Sequence, residues 1–405
     1  MKILKEITPS RWEKYIVNRR VSSILEELKK DIPSLTIELG GSFAKNTWLS
    51  GDHDIDIFVK FPYEKYQGKD ISKALKSRLN NITVVHGSRD YFQIRRGKFV
   101  IELIPVLDIK DPKQAANVTD MSPFHTRWAK ENIKNPDQVR LLKKFMKANG
   151  LYGAESFIKG FSGYVCEVLI GKYHTFFDLI KDSSNWPERK YIDVQDHYPD
   201  LAEAMKKINK ERHGPLILVD PVHPERNAAA ALSEEKYGKF VELSKEFLRN
   251  PTDSFFESKT MNLSILGQKK EDNKLVYVSG IPVEGKRDVI GAKLLKTNEA
   301  LVKEVEVQGF SIIDYGWEYG DTVLLWFIID PSPLSEKVKK WGPPIEDKQN
   351  LKSFADKWKG HKLGEENGRT FVIVPRKIRA IEEFLELYLN EENMKYFQKY
   401  EVKVL

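Results

Sequence analysis

The chain has 405 residues, 41% hydrophobic and 31% charged, which excludes wholesale disorder and, at roughly 150 residues per domain, implies two to four domains. Lys and Arg outnumber Asp and Glu by 66 to 59, and the net charge of +7 leans towards a polyanionic partner. The one cysteine, Cys166, excludes an internal disulfide framework and a cysteine-built zinc site, and the eight histidines show no paired zinc spacing. The start, Met1-Lys-Ile-Leu-Lys-Glu, has no apolar signal-peptide core. The most apolar run, Val323 to Ile329, falls far short of the roughly 20 residues a membrane span needs, so a cytoplasmic chain without membrane association is expected.

Three zones follow in chain order. Residues 1–120 open with a predicted helix, Thr8 as N-cap and Pro9 at its first position, with apolar residues at Val17, Val21, Ile24, Leu25 and Leu28 and a stop at Asp31-Ile-Pro33. Strand patterns then run from Leu35 to Leu39, Ile55 to Val59, Tyr91 to Ile94 and Phe99 to Val106, the last two joined by a hairpin turn at Arg95-Arg-Gly-Lys98. Residues 121–250 read as helical. Asp137 to Asn149 carries Val139, Leu142, Phe145 and Met146 at helical spacing and ends in Asn149-Gly150, while Ser162 is suited to cap a further helix. Residues 251–405 mix strands (Leu275 to Val278, Ser311 to Asp314, Val323 to Ile329, Phe371 to Val374) with a helix from Ala380 to Leu389, and Trp341-Gly-Pro-Pro344 reads as a break. The fold class expected is α+β.

The informative stretch is Leu39 to Val59. Gly40, Gly41 and Ser42 follow a strand and precede a short helical run, an arrangement that brings backbone N–H groups and a hydroxyl close to a phosphate, although an ordinary turn has the same composition. Downstream, Asp54-Ile-Asp56 lies in a strand. Alternation puts Asp54, Asp56 and Phe58 on one face and Ile55, Ile57 and Val59 on the other, with the two carboxylates on the order of 7 Å apart along the chain. Two solvated edge-strand aspartates fit that dipeptide as well as a cation site does. A third acid tips the balance: Glu102 interrupts the apolar run Phe99-Val-Ile-Glu-Leu-Ile-Pro105, where a lone carboxylate is expensive unless paired or ligated. On a neighbouring strand it faces Asp54 and Asp56, and three carboxylates suit magnesium, with room for two ions of the kind used in phosphoryl or nucleotidyl displacement.

Gly-Ser, about ten residues, Asp-x-Asp and a later acid together resemble the polymerase-beta-like nucleotidyltransferase superfamily. Further stretches narrow the likeness: Pro123-Phe-His-Thr-Arg-Trp128, Leu141-Leu-Lys143 followed by Ala148-Asn-Gly-Leu-Tyr-Gly-Ala-Glu155, Lys159-Gly-Phe-Ser-Gly-Tyr164, and Val219-Asp-Pro-Val-His-Pro-Glu-Arg-Asn227. With Gly41 to Val59 they look like the archaeal, class I CCA-adding enzymes, a family of tRNA nucleotidyltransferases, in order through about the first 250 residues and more weakly beyond. The resemblance implies a nucleotidyltransferase head with a mixed sheet over residues 1–120, a helical central domain over 121–250 and an α+β tRNA-binding body and tail over 251–405. It implies addition of C, C and A to the tRNA 3′ end from CTP and ATP without a nucleic-acid template, with magnesium on Asp54, Asp56 and Glu102. It also implies triphosphate contacts from Ser42 and Lys45, a nucleotide pocket lined by His125, Lys143 and Tyr152, and base reading by Arg226.

Two residues depart from the family pattern. Glu102 stands where Asp is common, which puts metal geometry in doubt more than activity. Lys45 stands where Arg is usual, keeping the charge without the bidentate fork. Taken singly, His125 reads as a helix-start histidine, Lys143 as part of a solvated face with Arg140, Lys144 and Lys147, Tyr152 as a core aromatic, and Arg226 as a helix cap or a partner of Glu225. In the last zone, Lys337-Val-Lys-Lys340, Lys352 to Lys362 and Arg376-Lys-Ile-Arg379 are interleaved with Trp341, Trp358 and Phe371, which suits RNA phosphates and bases as well as it suits a lysine-rich surface. By resemblance this zone grips the acceptor stem and TΨC arm of tRNA. The rival readings are a poly(A) polymerase-like enzyme and a non-catalytic RNA-binding scaffold, and the composition suits a homodimer as well as a monomer.

Overall fold

The computed structural model describes residues 2–86, 89–97, 99–258 and 261–405, and the chain divides into two compact units, Met1–Lys259 and Thr260–Leu405. The first unit begins with two helices, α1 (Ile3–Ile7) and α2 (Arg11–Asp31). The cap of α2 is Ser10 and not Thr8: the Ser10 hydroxyl accepts from the Glu13 N–H at 3.0 Å, whereas Thr8 closes α1 and donates to Asp137 at 3.3 Å. The buried stripe of α2, Val17, Val21, Ile24 and Leu28, recurs every three or four residues and covers a five-stranded mixed sheet.

That sheet is built from β1 (Thr36–Leu39), β2 (Asp54–Pro62), β3 (Thr83–Val85), β4 (Tyr91–Arg96) and β5 (Phe99–Asp108), in the order β1-β2-β5-β4-β3. The short helix α3 (Gly41–Ala44) follows β1, and α4 (Tyr63–Tyr66) and α5 (Ile71–Lys76) follow β2. β2 and β5 run parallel at the centre, and every other pair is antiparallel. The predicted hairpin joins β4 to β5 with Arg96 opposite Phe99; Lys98 lies outside the described residues. At the end of β5, the fully buried Asp120 accepts from the N–H groups of Leu107 (2.8 Å) and Asn117 (3.0 Å) and is paired with Arg89, which fixes the exit of the chain from the sheet.

The remainder of this unit is mostly helical: α6 (Ser122–Asn132), α7 (Pro136–Ala148), α8 (Gly163–Tyr173), α9 (Phe176–Ser183), α10 (Leu201–Lys207) and α11 (Glu234–Arg249). Its core is rich in aromatic rings, with Phe145 in edge contact with Phe176, Phe240 and Phe247. Ser162 caps α8 as predicted, accepting from Val165 N–H at 3.1 Å. Periodicity missed one feature here. β6 (Lys190–Ile192) and β7 (Leu216–Leu218) form a parallel pair of three residues each, too short to show alternation, and all of β7 is buried.

In the second unit, α12 (Leu263–Lys269) precedes β8 (Lys274–Pro282), α13 (Arg287–Gln308), β9 (Ile312–Tyr319) and β10 (Val323–Ile329). Then come β11 (Lys337–Pro344), α14 (Lys348–Lys357), β12 (Leu363–Glu366), β13 (Arg369–Pro375), α15 (Ile381–Tyr388) and β14 (Phe397–Val404). They make a four-stranded sheet, β14-β8-β10-β9, and a three-stranded one, β11-β13-β12. The break expected at Trp341-Gly-Pro-Pro344 is instead the end of β11, with a register shift between Trp341 and Pro344. β11 is an edge strand, so the two prolines leave no ladder donor missing. Among the described residues no helix is long and apolar enough to cross a membrane.

Candidate active site

The corner from β1 into α3 sits against β2. Gly40 N–H donates to the Asp56 carbonyl at 2.8 Å, and Gly41 adopts φ +58°, the left-handed region that glycine tolerates. A Cβ at Gly41 overlaps the Asp56 carboxylate, and one at Gly40 overlaps the Phe58 ring. Two glycines are therefore required for Asp56 to lie directly over the turn that carries Ser42.

The alternation expected along β2 holds. Ile55, Ile57 and Val59 are 1%, 0% and 0% exposed in the sheet core, and the opposite face carries Asp54 and Asp56. The parallel register sets Asp56 beside Glu102, and Gln93 of β4 donates to the Glu102 carboxylate at 2.8 Å. All three acids titrate above their ordinary values. Burial is the largest cause in each case; Asp52 adds to it at Asp54, Lys45 partly offsets it at Asp56, and the Asp56 charge brings Glu102 to about 7. Among the described residues no three His, Cys, Asp or Glu side chains close into a ready-made metal cage. The trio is an open face of oxygen donors whose mutual repulsion a hard cation relieves.

Lys45 follows α3, and its ammonium donates to Glu167 of α8 at 2.6 Å. Glu167 is fully buried, accepts also from the Thr47 hydroxyl at 2.7 Å, and lies 3.4 Å from the Lys143 ammonium of α7. Burial pushes the Glu167 carboxyl up, but the Lys45 and Lys143 charges and the hydrogen bonds outweigh it and hold the group below its usual range. Lys143 is pushed down by burial, with Glu167 opposing. One residue-turn earlier on α7, the buried Arg140 donates from Nε to the Trp48 carbonyl at 2.8 Å and from its second terminal nitrogen to the Asn46 carbonyl at 2.5 Å. Arg140 and Lys143 are thus not part of a solvated face; they tie the loop after α3 to the helices.

A second buried acid gathers the remaining residues. Asp220 is 0% exposed and accepts from Tyr164 (3.0 Å) and Arg226 (2.6 Å), with His125 Nε2 at 3.1 Å. Burial raises its carboxyl, but His125 and Arg226 prevail and keep it well below the ordinary range. The His125 and Tyr164 rings lie 4.2 Å apart. Arg226 therefore pairs with Asp220, not with Glu225. The Tyr152 hydroxyl and the Lys143 ammonium both lie beside Gly163 at the start of α8, and the Lys147 ammonium is 5.3 Å from the Tyr152 ring centre.

A cavity of about 210 Å³ opens between the sheet and these helices, and Gly41, Lys45, Asp56, His125 and Tyr164 line it. Lys45, Asp56 and His125 thus line one cavity, Glu102 and Asp54 continue from Asp56 along the sheet face, Lys143 and Arg226 are linked to the site through Glu167 and Asp220, and Tyr152 lies beside Gly163. Glu167, Asp220 and Thr47 were not among the residues singled out from the sequence. The signal that marks Glu102 was present for two of them: Glu167 interrupts Val165-Cys-Glu-Val-Leu-Ile170, and Asp220 ends the apolar run Leu216-Ile-Leu-Val219.

Comparisons with known proteins agree along the chain. Family models match over residues 21–107 (nucleotidyltransferase domain), 137–257 (tRNA nucleotidyltransferase, second domain) and 284–396 (CCA-adding enzyme, C-terminal domain). The CCA-adding enzyme of Nanoarchaeum equitans is 31% identical over 399 residues, covering 97% of each chain. That of Sulfurisphaera tokodaii is 32% identical over 409 residues, 98% of this chain and 92% of the relative. That of Thermococcus gammatolerans is 33% identical over 338 residues, 78% and 73%. Among solved structures, a cytoplasmic RNA terminal U-transferase shares the fold, with a TM-score of 0.50 at 13% identity over 64% of this chain and 97% of that one.

Proposed function

This chain belongs to the CCA-adding enzyme family of tRNA nucleotidyltransferases, and from that premise we propose that it adds C, C and A in turn to the tRNA 3′ end from CTP and ATP, and restores ends that have lost part of CCA. The observation that carries the mechanism is the register of Asp56 beside Glu102, with Asp54 on the same face. Family members use divalent ions, and the open set of oxygen donors fits magnesium, held by Asp54, Asp56 and Glu102 in a site with capacity for two ions. When bound, the metal lowers the pKa of the primer 3′-hydroxyl and neutralises the triphosphate.

The chain's own groups do the rest. Ser42 and Lys45 hold the triphosphate over the Gly40-Gly41 corner. Glu102 faces the primer hydroxyl and helps activate it. The 3′ oxygen bonds to the α-phosphorus, the bridge to the β-phosphate breaks, and pyrophosphate leaves. Lys143 and Tyr152 line the nucleotide pocket beside Gly163. Through Asp220, His125 and Arg226 are held together, and Arg226 reads the edge of the incoming base. We assign residues 1–120 to catalysis, 121–250 to nucleotide recognition and 251–405 to the tRNA acceptor stem and TΨC arm; an enzyme serving tRNA in this way works in the cytoplasm.

A primer-extension assay tests the reading. Transcripts ending at the discriminator base and at CC are offered with magnesium and each labelled nucleotide. Two C additions from CTP, one A addition to the CC end and then arrest are expected, and Asp56→Ala abolishes addition while leaving tRNA affinity within a few-fold. Long A tails would replace the reading with a poly(A) polymerase-like one, and turnover by Asp56→Ala would refute the metal site.

A further inference from the structure

We propose that the second unit carries a nucleotide-binding cavity of its own, which receives one unstacked nucleotide of the bound tRNA. The inference rests on the reading that this chain acts on tRNA, and it concerns a place far along the chain from the carboxylates. The cavity measures about 500 Å³, within the range of about 300–1,000 Å³ typical of small-molecule sites. Lys340, Trp358, His361, Arg376 and Lys377 line it, and none of its lining residues is acidic.

The chemistry of that lining selects an anion with an aromatic part. Strand alternation along β11 turns Val338 and Lys340 towards the cavity, whereas Lys339, on the other face, pairs with Glu366 at 2.6 Å and lies 4.3 Å from the Phe371 ring centre. Glu336 is likewise engaged, by Arg379 at 3.5 Å. Among the described residues Lys340, Lys377 and Arg376 form no ion pair, so positive charge is gathered there without a protein counter-charge. Arg376 is oriented by a hydrogen bond from its guanidinium to the Gln308 carbonyl at 2.5 Å, while its Nε is buried without a partner. The Trp358 indole is braced by Phe354 at 6.3 Å and edge-on by His361 at 5.9 Å. A fixed indole beside three cationic side chains offers a stacking surface for a base next to contacts for its phosphate.

A free nucleoside triphosphate has the same chemistry as an RNA nucleotide. RNA is favoured because the cavity is continuous with the basic segments 337–340, 352–362 and 376–379, which offer phosphate contacts on either side of a single bound base.

The test uses the full chain. Lys340→Ala with Lys377→Ala removes two exposed cations without touching the core. Trp358→Leu removes the stacking surface, and Trp358→Phe keeps one. The dissociation constant for a tRNA transcript is measured across a salt series, and that for CTP alone in parallel. The lysine pair is expected to flatten the salt dependence by about two phosphate contacts. Trp358→Leu is expected to weaken tRNA binding by about 5- to 100-fold, with Phe restoring most of it and CTP affinity unchanged. Wild-type tRNA affinity in the lysine and leucine variants overturns the cavity. So does equal loss with Leu and Phe, which marks packing, and so does lost CTP affinity with tRNA binding intact, which marks a free nucleotide. Failure of the wild-type chain to extend tRNA overturns instead the reading beneath it.

Discussion

Replacing Glu167 by Gln keeps the shape of the side chain and removes one buried charge. In the native site that charge faces Lys45 at 2.6 Å and Lys143 at 3.4 Å, with the three side chains 11%, 5% and 0% exposed for Lys45, Lys143 and Glu167 respectively. Glutamine can still accept from Thr47, so the loss is electrostatic. Breaking a buried pair by removing one partner costs about 3–5 kcal/mol. Lys45 can turn towards Asp56 or the cavity, whereas Lys143 cannot leave, so about 3 kcal/mol is expected here. For a unit of this size that lowers Tm by about 6–12 °C. The sign in pH is set by the depressed carboxyl of Glu167. Its contribution is present at neutral pH and is lost as pH falls through the folded-state value, so the gap between variant and wild type narrows in acid. Nucleotide binding should weaken as well, because Lys45 and Lys143 lose their common anchor; a charged hydrogen bond displaced in this way corresponds to about 10- to 100-fold in KM for CTP. Thermal unfolding at pH 7 and in a series descending from about pH 4.5, with steady-state kinetics at pH 7, reads both effects. An unchanged Tm at pH 7 together with an unchanged KM would refute the account.

Two further outcomes follow from the carboxylate face. Gly41→Ala places a methyl where the Asp56 carboxylate lies and strains a left-handed backbone by about 1–3 kcal/mol; the folded protein should persist while addition falls by about 100-fold or more, and near-normal turnover would count against the overlap. The Glu102 carboxyl, raised to about 7 from an ordinary 4.5, favours the protonated folded state. Metal-free protein should therefore lose stability as pH rises from about 5 to 8, by about 3 kcal/mol at most, and magnesium should restore more at pH 8 than at pH 5. Glu102→Gln should flatten that slope, and an identical pH profile for variant and wild type would remove Glu102 from the site.

The carboxylate face was legible in the sequence because its logic is local. A strand alternates its faces, so Asp54-Ile-Asp56 places two acids together, and a carboxylate inside Phe99 to Pro105 is too costly to leave uncompensated. The register that sets Glu102 beside Asp56 confirms in space what those two costs implied. The same argument applied to Glu167 and Asp220 would have marked them, but their partners were out of reach of local reasoning. Lys45 meets Glu167 across 122 residues and His125 meets Asp220 across 95, and helical spacing alone gives Arg140 and Lys143 the look of a solvated face. Short elements were lost for a related reason: β6 and β7 owe their strands to burial and pairing, and β11 runs through two prolines because only its inner edge has a partner. Sequence by itself therefore determined which acids gather on one face of the sheet, since that follows from the backbone's period and the cost of burying charge. Only the tertiary structure decided which cations they answer to, because a charge pair is set by the distance between elements that the chain brings together late and far apart.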